Sequence, residues 1–88
     1  MSGFIGGSAY NMVRDIADGF IAVTNRTFHN FGPKDFADFS QEANRFLQEI
    51  RSNQPGLTEI EAIQKRQLRM RRLQQALTLA AAALQRQR

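Results

Sequence analysis

Eighty-eight residues with a net charge of +4, no cysteine and 42% apolar side chains make one domain at most, without a disulfide staple or a thiolate metal site. The longest apolar run, Ala76 to Leu84, falls far short of the roughly 20 residues of a membrane span. Arg14, Asp15 and Asp18 break the unbroken core that a signal peptide requires. A cytoplasmic protein is the expectation, and a domain that buries only about 60–65% of its unfolded surface invites a partner or self-association.

Met1 to Gly7 is glycine-rich and is expected to be a flexible terminus ahead of a single helical domain over residues 8–88. Ser8 can cap a helix that runs to about Val23, with Met12, Val13, Ile16, Ala17, Phe20 and Ile21 on its apolar face. The alternative is a hairpin, in which Phe20 to Thr24 pairs with Thr27 to His29 across Asn25-Arg26, a poor two-residue turn. A loop then leads to Gly32.

Gly32-Pro33 opens the second helix, Pro33 to Ser52, with Asp35 and Asp38 in early turns where the helix dipole favours acids. Phe36, Phe39, Ala43, Phe46, Leu47 and Ile50 form its apolar stripe. The turn Asn53 to Gly56 returns the chain into a long last helix, for which Thr58-Glu59-Ile60-Glu61 has the form of a capping box. Ile60, Ile63, Met70, Leu73, Leu77, Ala80 and Leu84 recur at spacings of three, four and seven, in the manner of a coiled coil. The expected fold is all-α: an antiparallel hairpin over 33–85 with a third, N-terminal helix. Phe36, Phe39, Phe46 and Ile50 should face Ile60, Ile63, Met70 and Leu73. At about 1.5 Å per residue the last helix overhangs its partner by about two turns. The sequence places that overhang at Leu77 to Leu84, so Leu77, Ala80, Ala81 and Leu84 are the expected interface, covered either by the first helix or by another chain.

Charge is unevenly spread. Residues 1–61 carry all eight acids and five bases, whereas residues 62–88 carry seven bases and no acid. Lys65, Arg66, Arg69, Arg71 and Arg72 form the densest cluster. Three readings compete: a solvated face paired with acids such as Glu42 and Glu49, docking to an acidic protein or another copy, and phosphate contacts to nucleic acid as the alternative function. No aromatic residue lies in 57–88 to stack on bases.

Sites for chemistry are scarce. His29 is the only histidine, with no metal-binding set around it, and Asp35 with Asp38 and Glu59 with Glu61 sit where helix starts already account for them. No phosphate loop or nucleophile elbow occurs, so no cofactor, small-molecule substrate or enzyme activity is expected.

Phe39 to Ile50, then Pro55, Thr58 to Glu61 and Leu68 to Leu77, resemble the helical accessory segments attached to many bacterial, notably cyanobacterial, multidomain proteins. Those segments share an Ala/Glu/Gln/Leu helix, an Asn-Pro-type turn, a Thr-Glu-x-Glu start and a basic helix with an Ala-Leu pair. They commonly continue past a Gly-Gly break, where this sequence stops at Arg88. The resemblance implies an interaction or oligomerisation module, in line with the reading of the residues as a non-enzymatic protein-protein interaction or self-assembly domain.

Overall fold

The computed structural model describes Phe4, residues 7–53, Gly56 and residues 58–87. Three helices follow one another: α1 (Ala9–Ala17), α2 (Pro33–Ser52) and α3 (Ile60–Arg86). Each contacts the other two, and no strand occurs among the described residues, so the architecture is the expected all-α three-helix bundle.

α1 starts where its cap predicts. The Ser8 hydroxyl accepts the Asn11 N–H at 3.1 Å. It ends well before Val23, because Gly19 turns the backbone into the left-handed region at φ +85°. The Gly19 N–H donates to the Ile16 carbonyl at 3.2 Å and the Phe20 N–H to the Asp15 carbonyl at 2.8 Å, which is a Schellman termination. A nine-residue helix does not persist alone in water. What holds α1 is burial of Met12, Val13, Ile16 and Ala17, at roughly 1.5–3 kcal/mol for each large side chain.

Residues 20–31 are a strap of turns, not a hairpin. The Thr24 N–H donates to the Thr27 hydroxyl at 2.8 Å and the Arg26 N–H to the Thr24 hydroxyl at 3.2 Å, so local side chains take the bonds a strand pair would use. The strap delivers Phe28 and Phe31 into the core, where Phe28 meets Phe39 edge-to-face at 5.1 Å and Phe31 meets Phe36 likewise. Met1 to Gly3, Ile5 and Gly6 of the expected flexible terminus lie outside the described residues. Phe4 is half-buried, its ring edge-on to Phe31 at 5.1 Å, so this position is packed.

α2 buries the six residues its stripe predicts, and its start is held by the Asp35 carboxylate, which accepts the Gly32 N–H at 3.0 Å. α3 begins at Ile60. The Thr58–Glu61 capping box does not form; instead the Glu59 carboxylate accepts the Gly56 N–H at 3.3 Å while the Glu59 N–H donates to the Gly56 carbonyl at 3.0 Å. On α3 the buried residues are Leu73, Ala76, Ala80 and Ala83. Small side chains here let α1, α2 and the strap approach closely, and the phenylalanines of the strap and α2 fill the space opposite.

The hairpin register is fixed at both ends. The Gln87 side-chain amide donates to the Phe31 carbonyl at 2.8 Å, and the Arg66 Nε donates to the Ile50 carbonyl at 3.0 Å. The end of α3 is therefore flush with the start of α2. With α3 about 40 Å long and α2 about 30 Å, the excess lies at the beginning of α3, beyond Ser52. The bundle is 46 Å long and 19 Å across, and α3 spans most of its length.

Candidate interaction surface

The strip expected to be uncovered is inside the chain's own core. Ala80 is 2% exposed, Leu77 and Leu84 pack against the core, and Ala81 alone of the four faces solvent. The cover comes from the N-terminal region, the first of the two possibilities the sequence left open, and its apolar side chains are those of α1 and the strap. The expected pairing of Ile60 and Ile63 with α2 does not occur in full: Ile60 is 64% exposed and Ile63 half-buried.

The basic cluster is likewise turned to internal use. Besides its bond to the Ile50 carbonyl, Arg66 donates from Nη2 to the Arg51 carbonyl at 3.4 Å, so one guanidinium closes the C-terminal end of α2. Arg72 donates from Nη1 to the Ala17 carbonyl at 3.1 Å at the C-terminal end of α1, and its guanidinium lies against Gly19. Arg69 Nε stands 3.3 Å from the Asp18 carboxylate in the turn that follows α1. Cations at helix C-termini meet orphan carbonyls and the negative end of the dipole, so these three arginines tie two helix ends to the third helix. Glu42 and Glu49 do not serve α3. They pair with Arg45 on their own helix, at 2.8 Å and 3.9 Å, and the hydrogen bond that Arg45 donates to Glu42 raises the Arg45 pKa above its ordinary value. Lys65 and Arg71 remain exposed without an acceptor among the described residues.

Because α1 is short and the strap turns toward the far end of α3, the hairpin is two helices wide where α2 finishes and α3 starts. A groove of about 590 Å³ opens there. Phe46, Ile50 and Ala62 give it an apolar floor, and Lys65, Arg66 and Arg69 outnumber the single carboxylate, Glu49, on its walls. Two further apolar side chains stand free on α3 nearby, Ile60 and Leu68, the latter 44% exposed. Phe20, at the Schellman corner, is 81% exposed. In most such corners the residue after the glycine folds back on an apolar residue of the helix, but the position it would meet here is Asp15.

The other depressions are smaller. One of about 370 Å³ lies between Tyr10 of α1 and Asp38 of α2, and one of about 260 Å³ lies beside His29 and Arg86. Asp35 and Glu59 are occupied at the helix starts described above. Among the described residues no group of three or more His, Asp or Glu is placed to hold a metal ion, and no helix is long and apolar enough to cross a membrane. Compared with known protein families, curated proteins and solved structures, the chain shows no match.

Proposed function

We propose that this chain is a non-enzymatic protein-interaction module whose contact surface is the open end of the α2–α3 hairpin. The observation that carries the reading is the groove itself, where no third helix among the described residues covers an apolar floor with a cationic wall. A helix that presents an apolar side chain and acids would complete the bundle there, which is the helix-in-groove mode of recognition. The resemblance that Phe39 to Ile50, Pro55, Thr58 to Glu61 and Leu68 to Leu77 bear to helical accessory segments supports the same reading. The interface expected at Leu77–Leu84 is occupied within the chain, and the reading places the contact at the opposite, overhanging start of α3 instead. Phosphate contact by the basic helix is the weaker reading, since three of its five clustered cations already serve internal acceptors and Lys65 and Arg71 alone are uncommitted.

The test is an amide-resolved NMR titration of the full chain, first by raising its own concentration and then by adding a synthetic acidic amphipathic helix. Shift changes concentrated on Phe46, Ile50, Ala62 and Lys65 in either titration are expected. Changes in neither, at millimolar concentrations, would refute the assignment.

A further inference from the structure

The groove and the most exposed apolar side chain of α3 lie on opposite faces of the same two turns. At 100° per residue, Ile60 is turned roughly 120–180° away from each of Ala62, Lys65, Arg66 and Arg69, the α3 residues that line the groove. Ile60 is 64% exposed at the point where α3 projects past the end of α2. It is flanked by the exposed carboxylates of Glu59 and Glu61, and Glu61 has no cationic partner among the described residues. The groove carries the opposite charge, and Lys65 in it has no anionic partner. Knob and groove therefore complement each other in polarity and in charge.

We infer that the occupant of the groove is a second copy of this chain, with Ile60 of one copy seated on the Phe46–Ile50–Ala62 floor of the next and Glu61 against its Lys65. The inference rests on the proposed reading of the open end as a contact surface. The two faces point apart, so a pair of copies cannot satisfy both contacts at once. A copy that fills one groove leaves its own groove open on the other side. The contact is heterologous, and successive copies add head to tail. One apolar anchor and one ion pair make a small interface, so the assembly is weak, appears only at high concentration and weakens with salt.

Two exposed substitutions separate the halves of the contact. Ile60→Asp removes the knob and keeps the groove, and Lys65→Glu reverses the groove and keeps the knob. Sedimentation velocity of the full-length chain up to millimolar concentration should show species that grow continuously for the parent. Each variant alone should need about ten- to hundredfold more protein to reach the same mean mass. Their equimolar mixture should give a discrete heterodimer that grows no further, because the single intact knob and the single intact groove are then consumed. Circular dichroism of each variant checks that the helices are retained, and Ile60→Ser replaces Ile60→Asp should the acid disturb the first turn. A parent that stops at a closed dimer, a mixture that remains monomeric, or variants that assemble like the parent would overturn the inference. A monomeric parent whose groove still takes up the acidic helix would also overturn it while leaving the interaction module standing. A monomeric parent that ignores the acidic helix would remove both.

Discussion

Replacing Gly19 with alanine tests how α1 is held in place. The backbone there sits at φ +85°, a region that costs a residue with a Cβ roughly 1–2 kcal/mol. The added methyl carbon would stand 3.1 Å from Cζ and Nη1 of Arg72, closer than side chains normally approach. Arg72 can move aside, but its Nη1 is the donor to the Ala17 carbonyl, so moving it weakens that bond. A bond of this kind to a charged donor is worth about 1.5–3 kcal/mol at most, and the partial exposure of the guanidinium brings the expected share nearer 1 kcal/mol. The sum for Gly19→Ala is about 2–3 kcal/mol, a large part of the 5–15 kcal/mol typical of a whole domain.

A double-mutant cycle separates the two contributions. Arg72→Met keeps the long apolar stem and deletes the donor. In that background Gly19→Ala should cost only the backbone share, about 1–2 kcal/mol, leaving a coupling near 1 kcal/mol between the two positions. Urea unfolding followed by helical circular dichroism measures all four corners of the cycle. Equal losses in both backgrounds would disconnect Arg72 from the Gly19 corner. A loss below about 0.5 kcal/mol in the parent would contradict the left-handed turn itself.

The aromatic core gives a second expectation: Phe39→Ala, at a fully buried ring in edge contact with Phe28, should lose about 3–5 kcal/mol in the same assay, and a loss under 1 kcal/mol would contradict the packing described. Ala80→Leu and Ala81→Leu are neighbours with opposite outcomes; the first overfills the core at a cost of about 1–3 kcal/mol, while the second, on the solvent face, stays within about 0.5 kcal/mol. Thermal melts distinguish them, and equal melting points would mean that the strip is open to solvent. For the phosphate-binding alternative, Lys65→Gln with Arg71→Gln should lower the logarithmic salt slope of any duplex DNA binding by about 2. An unchanged slope would move such contacts off this part of the helix.

The three elements were legible because each carries its own signals: Ser8 as a cap for α1, Gly32-Pro33 as a start for α2 with an apolar spacing that is buried in full, and for α3 the recurrence of apolar residues at helical steps. The apolar face that runs on to Ile21 extends the expected first helix past Gly19; a glycine two residues beyond the last buried residue, Ala17, is the stronger sign of a helix end. Phe28 and Phe31 were out of reach, since the turns that aim them inward depend on threonine side chains and leave no period in the sequence. The stripe on α3 misled for a geometric reason. Ile63, Met70, Leu77 and Leu84 are spaced by seven, and on a straight helix such a series drifts by about 20° per heptad. Over three heptads that turns the first turns of α3 away from the core centred on Leu73 and Ala80. Ile60 accordingly faces outward and Ile63 is left half-buried at the edge of the seam, while Arg66 and Arg69 continue the inward line.

That drift also decides what the positive charge is for. A sequence in which residues 62–88 hold seven bases and no acid suggests a surface waiting for a polyanion, but surplus charge in sequence is not free charge in space. Where α3 changes from Leu and Ala to Arg, it meets the C-terminal ends of α1 and α2, and their carbonyl oxygens, at the negative ends of the helix dipoles, are the acceptors that Arg66 and Arg72 satisfy. A long helix built this way must remain alanine-rich at one end to admit its neighbours closely and arginine-rich at the other to fasten their ends. Its outermost turns serve neither purpose. Among the described residues their Ile60 is exposed and their Glu61 has no cationic partner, which is why we propose the contact with another molecule there.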